Sequence, residues 1–396
     1  MRPAIAVAAE QLLRRAVGAA VRLTGWEPLR GGDRSKVWRA RVRGGRAGAP
    51  ASVVVKTAVV ADGEDYAPDA RGTGPAWRLF NEWASLELLG RLEPERRLAP
   101  RLYGGDRAAG VLVVEDVRAG VGLDRLLVGD DPDAAEDALV GHAEALGRLH
   151  AVTAAHEDEY TALRAGLGPL PPIPVSTAAE AALDGQGLVA GFRRAAAELG
   201  VGLGGPAVED LERVAAMWES PAVRALVHGD ACPDNCRCAS DGVRLVDFEF
   251  GGFGHPLIDG ACPRLCYPSC WCAGALPERV VRRVEAAYRA AVVGGCVWAA
   301  DDVAFGRALV EGCAYWTVGM FAWAVPALFE DDVAWGLASG RQRVLHRLGL
   351  FDQLSDERRH LQALGSAARG LRARLAARWP EAAPLSAFPA FRQEQA

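Results

Sequence analysis

The segment His228-Gly-Asp-Ala-Cys-Pro-Asp-Asn235, followed twelve positions later by Asp247-Phe-Glu249, gathers the side chains that phosphoryl transfer requires. Such a transfer needs a carboxylate to orient and deprotonate an attacking hydroxyl, and oxygen ligands to hold Mg²⁺ against nucleotide phosphates. Asp230 has the position of the first, Asn235 and Asp247 those of the second. The apolar runs Ala225 to Val227 and Val243 to Val246 read as short strands. Laid side by side, they would bring all three oxygen side chains to one end of a hairpin.

Lys56 is the next group with chemistry to offer. It ends the apolar run Val53-Val-Val-Lys56, and it and Lys36 are the only lysines among 45 basic residues. Arginine serves this chain for ordinary surface charge. A lysine at the end of an apolar strand can instead reach into a cleft and neutralise phosphate, with a carboxylate fixing its ammonium. Glu82, on a helix expected over Ala76 to Leu92, shares a face with Leu86 and Leu89. The competing Glu87 lies about 140° further round the helix. Upstream, Gly31 and Gly32 precede Ser35 between two expected strands. Glycines there let backbone amides approach phosphates, although Gly-Gly is also an ordinary hairpin turn.

The elements that must carry these groups follow from hydrophobic periodicity. An amphipathic helix is expected near the N-terminus (Ile5, Leu12, Leu13, Val17). Strands are expected over Val21 to Leu29, Lys36 to Val42, Ala51 to Ala58, Arg101 to Tyr103 and Val111 to Glu115, with the helix Ala76 to Leu92 inserted after a Gly-, Asp- and Pro-rich loop from Asp62 to Gly74. Beyond Gly122 helical patterns dominate: Ala134 to Val152, Ala178 to Leu199 and Val208 to Trp218, then Glu278 to Val292, Asp302 to Ala324, Val333 to Leu348 and Asp356 to Arg378. Pro169 to Pro174 reads as a stiff connector. The order predicts a strand-rich lobe over 1–117 and a helical lobe over 118–396.

The spacing of Asp230, Asn235 and Asp247 matches the protein-kinase set. In this form, with His-Gly-Asp and Asp-Phe-Glu, the chain resembles the aminoglycoside phosphotransferase and choline kinase branch of the kinase-like fold. The resemblance covers roughly residues 20 to 350. It implies an α+β, protein-kinase-like two-lobe fold: a five-stranded antiparallel N-terminal lobe with one helix, and a mainly helical C-terminal lobe. ATP and Mg²⁺ are the implied cofactors, with Ser35 near the terminal phosphates and the adenine on the backbone around Glu115 and Val117. Asp259 would tie the amides of the Asp230 loop together, and His150 and His228 would brace that loop. An ATP-dependent phosphotransferase acting on a hydroxyl is the resulting expectation.

Composition bounds the rest. With 396 residues, half of them hydrophobic, and a net charge of −5, the chain can bury a large core and shows no basic stripe for nucleic acid. No secretion signal is apparent, so a cytoplasmic protein is expected. The uncharged stretch Gly312 to Phe329 contains Thr317, Gly319 and Pro326, and reads as a buried helix rather than a membrane span. Seven of nine cysteines fall between Cys232 and Cys272. Their spacing lacks the paired Cys-x2-Cys of a zinc knuckle, and small buried fillers are the expectation. The acceptor is expected to be a small-molecule alcohol (antibiotic, sugar or amino alcohol), with a peptide Ser or Thr, or a catalytically silent binding protein, as alternatives. A cationic acceptor would use Asp301, Asp302, Glu311 or Glu330 to Asp332. A neutral one would use Tyr267, Trp271 and neighbouring aromatics such as Tyr315, Trp316 and Trp323.

Overall fold

The computed structural model describes residues 3–29, 35–59, 66–72, 74–95, 98–118, 120–170, 185–219 and 223–395. Helix α1 (Pro3–Val17) precedes three strands, β1 (Val21–Pro28), β2 (Ser35–Gly44) and β3 (Ser52–Ala58). Helix α2 (Pro75–Leu92) then leads to β4 (Leu102–Asp106) and β5 (Val111–Glu115). The five strands form one antiparallel sheet in the order β1-β2-β3-β5-β4.

Strand alternation decides which side of this sheet does what. Val53 and Val55 of β3, with Val111 and Val113 of β5, pack against Ala9, Leu12 and Leu13 of α1. The opposite parity places Leu112 and Val114 in the core shared with α2, and Lys56 pairs with Leu112 in the β3–β5 register. A one-residue slip of β3 would carry Lys56 to the α1 side. Helix α2 is buried on most of its circumference, including Trp77, Phe80, Glu82, Ser85 and Leu89, because it packs on the sheet on one side and on the helical lobe on the other.

The helical lobe begins with β6 (Val121–Gly122), α3 (Leu123–Leu127), α4 (Pro132–Thr153) and α5 (Glu157–Leu167), then helices Gly185–Glu198 and Gly205–Glu219. Four short strands follow: β7 (Ala225–Val227), β8 (Cys236–Ala239), β9 (Gly242–Leu245) and β10 (Gly252–Gly254). Helices Glu278–Val292, Asp302–Trp323, Gly340–Arg358 and Gln362–Arg378 complete the lobe. The stretch Gly312 to Phe329 is helical and largely buried, with one break at Ala324. No helix among the described residues is long and apolar enough to cross a membrane.

Several expectations need correction. The strands β7 and β9 do not pair with each other: β7 pairs with β10, and β9 with β8. The four residues of β8, Cys-Arg-Cys-Ala, are too short and mixed to read as a strand, yet they close on β9 through a turn at Gly242, whose φ of +121° suits glycine. The helix expected from Val333 starts instead at Gly340, behind a small hairpin, Ala334–Trp335 with Ala338–Ser339. A capping box between Ser339 and Gln342 sets that start. The last expected helix begins at Gln362 rather than Asp356, since Arg359 and Leu361 adopt left-handed conformations. Helix α5 is an addition to the expected elements; its opening Glu157-Asp-Glu suits a helix N-terminus. The turn at Gly31 and Gly32, most of the loop before Tyr66 and residues 171–184 lie outside the described residues.

The tightest helix crossing supports a test. Gly147 of α4 meets helix Glu278–Val292 so closely that a Cβ would lie 2.6 Å from the Tyr288 carbonyl oxygen and 2.8 Å from Ala291 Cβ. Both contacts come from helix backbone or a short side chain, which cannot swing aside. Gly147→Ala is therefore expected to destabilise the protein by about 1–3 kcal/mol through overpacking, read as a lowered urea midpoint. An unchanged midpoint would show that the two helices separate at no cost.

Candidate active site

The loop after β7 is shaped by its glycine. Gly229 has φ +77°, and a Cβ there would collide with the Phe250 carbonyl oxygen, so the His228-Gly-Asp turn admits no side chain at its centre. The amides of this turn are collected by one buried carboxylate: Asp259 Oδ2 accepts from His228 N (2.5 Å) and Oδ1 from Gly229 N (3.1 Å). His150 Nε2 lies 3.2 Å from the same Oδ2, and its Nδ1 lies 2.9 Å from the Tyr288 hydroxyl. Burial works against the Asp259 charge, but His150 and the loop amides outweigh it and hold the carboxyl below the usual aspartate range.

Asp230 emerges from this turn with its carboxylate well supplied with donors. Oδ1 accepts from Ser269 Oγ (2.8 Å) and lies 3.0 Å from Cys232 Sγ; Oδ2 accepts from Asn235 Nδ2 (3.2 Å). Burial pushes its pKa above the ordinary aspartate value, and the Cys232 and Ser269 hydrogen bonds offset part of that rise. Asn235 Nδ2 also bonds the Asp230 carbonyl at 3.0 Å. Its nitrogen is thus committed to Asp230, and its amide oxygen is the donor left for a cation.

Asp247 is brought to the same place by cross-links between loops rather than by the strand pair expected. Val246 N donates to the Asn235 carbonyl (2.9 Å), and His228 Nε2 donates to the Val246 carbonyl (2.9 Å). Phe248, fully buried, packs tilted against His228 with ring centroids 4.5 Å apart. Asp247 itself has φ +70°, a left-handed conformation uncommon outside glycine. Strain of this kind persists only where the surroundings over-determine it, and it concentrates at functional sites.

Lys56 Nζ closes the cluster, 2.5 Å from Glu82 Oε1 and 2.7 Å from Asp247 Oδ1. Burial disfavours its charge, but the Asp247 and Glu82 carboxylates prevail and hold it protonated, above the ordinary lysine value. Glu87 instead bonds Trp83 and Arg91. Helix α2 is clamped to the Asp-Phe-Glu segment by Asn81 Nδ2, which donates to the Glu249 carbonyl (3.3 Å), and by Trp77, edge-on to Phe250. Arg164 of α5 fixes Asn81 in turn, at 2.8 Å.

Lys56, Glu82, Asp230, Asn235 and Asp247 thus share one region, whereas Gly31, Gly32 and the Ser35 side chain lie outside the described residues. Glu115 ends β5, with its carboxylate accepting from Arg101 N (3.0 Å), and Val117 follows, half-buried. Between them Asp116 binds Arg39 Nε (2.8 Å) and Ser52 Oγ (2.6 Å), pinning the segment to the sheet. Sequence reasoning missed Ser269, Cys232 and Asn81 as site neighbours. Ser269 carried no signal, being a lone serine whose partner is 39 positions away. A cavity of about 680 Å³ lined by Leu12, Trp83, Leu89 and Tyr103 contains none of the clustered polar residues.

Of the residues considered for an acceptor, Asp301 caps a helix, Asp302 pairs with Arg289, and Glu311 lies 2.7 Å from His360 Nε2. Asp332 accepts from Arg341 N, while Glu330 and Asp331 are exposed. Tyr267, Tyr315 and Trp316 are core residues, and the Trp323 side chain lies outside the described residues. Trp271 is half-buried, two residues from Ser269.

Comparison with known proteins bears on the family. A model of the phosphotransferase enzyme family matches residues 64–291, more than half of the chain. No curated protein matches it significantly. Among solved structures, choline kinase from Cryptosporidium parvum is similar at 11% identity, over 87% of this chain and 93% of that one, with a TM-score of 0.48. A choline/ethanolamine kinase family protein from Mesorhizobium loti is similar at 16% identity, over 87% and 92%, with a TM-score of 0.47. With the family matched across the sheet-to-helix transition and both polar motifs, the chain belongs to the phosphotransferase enzyme family and has its kinase-like, two-lobe α+β fold.

Proposed function

We propose that the protein is an ATP-dependent phosphotransferase that moves the γ-phosphate to a hydroxyl of a small molecule. The observation that carries this reading is Lys56 Nζ held between Glu82 and Asp247, beside a loop presenting Asp230 and Asn235. A nucleotide is proposed to bind between lobes 1–117 and 118–396, its adenine against the backbone around Glu115 and Val117 and its phosphates under Gly31, Gly32 and Ser35. The donor set fits Mg²⁺: a carboxylate from Asp247, 35% exposed, and the amide oxygen of Asn235 are hard oxygen ligands on one side of the cluster. When bound, Mg²⁺ supplies positive charge against the phosphates.

The chain's own groups account for the rest. Lys56, charged in its pocket, would balance nucleotide phosphate charge once Asp247 turns to a cation. Asp230 would orient the acceptor hydroxyl and take its proton as that oxygen bonds the γ-phosphorus and the bridging oxygen leaves with ADP. Burial raises its pKa, which makes it a stronger base than an exposed aspartate, and Ser269 and Asn235 keep its two oxygens in place.

A neutral acceptor with an apolar or aromatic body suits the surroundings better than a polycation. Asp301, Asp302 and Glu311 already answer groups of the fold. The Ser269 loop instead continues to Trp271, whose carbonyl accepts from Leu337 N (3.0 Å) in the small hairpin that exposes Trp335 and Leu337. Stacking and apolar burial are what such side chains provide.

Three outcomes test this. Asp230→Asn is expected to lower kcat by about 10²- to 10⁴-fold with ATP affinity nearly constant; wild-type turnover would sink the assignment. Asp247→Ala should abolish Mg²⁺-supported ATP binding in calorimetry, and Asn235→Ala should weaken it less, since water replaces a neutral ligand. Lys56→Arg should also be inactive, its planar group being too wide for the pocket between two carboxylates; retained activity would move the nucleotide site elsewhere.

The acceptor is addressed by an ATP-consumption screen over aminoglycosides, nucleosides, small alcohols and peptides. Trp271→Ala should raise the KM of the acceptor found, leaving the ATP KM unchanged. Turnover with peptides alone would overturn the small-molecule reading.

A further inference from the structure

Three ligand-type side chains outside the Lys56 cluster converge on one point. Cys232 Sγ, a carboxylate oxygen of Asp234 and Cys270 Sγ all lie within 4.8 Å of one another. Cys270 Sγ is 3.8 Å from Asp234 Oδ1, and Cys272 Sγ is 3.0 Å from Cys270 Sγ. A tetrahedral zinc ion with bonds of about 2.3 Å to sulfur and 2.0–2.2 Å to oxygen separates its ligands by roughly 3.5–3.8 Å. The observed group needs only small side-chain adjustments to reach those values.

The Arg343 guanidinium lies close enough to Cys232, Cys270 and Cys272 for charge to be felt, but its hydrogen bonds go to the carbonyls of Cys270, Trp271, Trp335 and Ala338 rather than to sulfur or to Asp234. Asp124 of α3 lies close enough to Asp234 and Cys270 for their charges to interact, and its Oδ1 is buried without a hydrogen-bond partner. Arg125 and Arg237 offset part of the Asp124 charge, yet a buried carboxylate oxygen without a hydrogen-bond donor remains costly. Cys232, Cys270 and Cys272 are each at most 3% exposed, whereas Asp234 is half-buried and gives solvent and ions a way in.

We infer that Cys232, Asp234 and Cys270 form a zinc site that joins the Asp230 loop to the segment carrying Ser269. Thiolates select a soft or borderline metal, and two of them with one carboxylate favour tetrahedral zinc over the hard, oxygen-seeking Mg²⁺. Three protein ligands leave the fourth position to water or to Cys272. On binding, the Cys232 and Cys270 thiols release their protons to solvent as the sulfur–zinc bonds form. The ion then spans two loops that both hold Asp230: Cys232 is two residues beyond it, and Cys270 follows Ser269, whose hydroxyl donates to Asp230 Oδ1. Its role is to position, and it is distinct from the Mg²⁺ site at Asn235 and Asp247.

Metal content tests this independently of turnover. The full-length protein, produced with zinc supplementation and purified reduced without chelator, should carry one equivalent of zinc by mass spectrometry. Replacement by cobalt should give thiolate charge-transfer absorption and the intense visible bands of a tetrahedral centre. Cys232→Ser and Cys270→Ser should each lose the metal while keeping the wild-type circular dichroism, and Cys296→Ser, at a cysteine remote from the cluster, should retain it. Zinc absent from folded wild-type protein after reconstitution, or retained in both ligand variants, overturns the site. So does thiol counting that finds Cys270 and Cys272 joined as a disulfide in the reduced protein.

Discussion

One ammonium group holds three parts of this molecule in register. Lys56 belongs to β3, Glu82 to α2 and Asp247 to the loop after β9, and Lys56 Nζ lies within 2.7 Å of both carboxylates. In such a setting each contact amounts to about 6 kcal/mol of Coulomb attraction at an effective dielectric near 20, set against the cost of desolvating the charges. Removing the lysine would take the counter-charge from the buried Glu82 carboxylate, a change of the kind that costs about 3–5 kcal/mol. The same geometry keeps the lobes aligned, because Lys56 reaches from the sheet to a residue of the helical lobe.

The register of β3 is the precondition. Its valines at 53 and 55 are claimed by the α1 face, which leaves Val54 and Lys56 to the α2 face. Burial of α2 on most sides then fixes Glu82, and the Asn81 and Trp77 contacts carry the Asp-Phe-Glu segment with it. Packing of apolar residues thus decides the placement of the charged ones.

Much of this was readable in the sequence, for reasons that differ by element. The strands of the sheet and helices such as Glu278–Val292 show clear periodicity; the latter buries Val280, Val281, Val284, Tyr288 and Val292 along one stripe. The spacing of Asp230, Asn235 and Asp247 was legible because the loop is short and local. Pairing was not. Strands β7 and β9 each found another neighbour, since β8 offers no alternating pattern and β10 is only Gly-Phe-Gly. The donors around Asp230 were equally hidden: Ser269 approaches from a segment whose path depends on Arg343 and Arg347 gathering the carbonyls of Pro268, Cys270 and Trp271. Long-range hydrogen bonds of this kind leave no periodic trace.

The hairpin after Val333 is attached quite differently from the Asp230 loop. Asp259, His150 and His228 are completely buried, so the turn they hold is continuous with the core. The hairpin is fastened through main-chain atoms: Leu337 N to the Trp271 carbonyl, Gly340 N to the Val333 carbonyl, and Arg343 to the carbonyls of Trp335 and Ala338. Gly336, where a Cβ would collide with the Trp271 carbonyl, the capping Ser339 and the buried Ala338 are constrained in type. Natural selection therefore has a surface where exposed side chains such as Val333 and Leu337 can change without loss of the main-chain anchorage, next to a centre that tolerates little change. Under the proposed function, descendants of such a chain are free to diversify in what they recognise while inheriting the same chemistry intact.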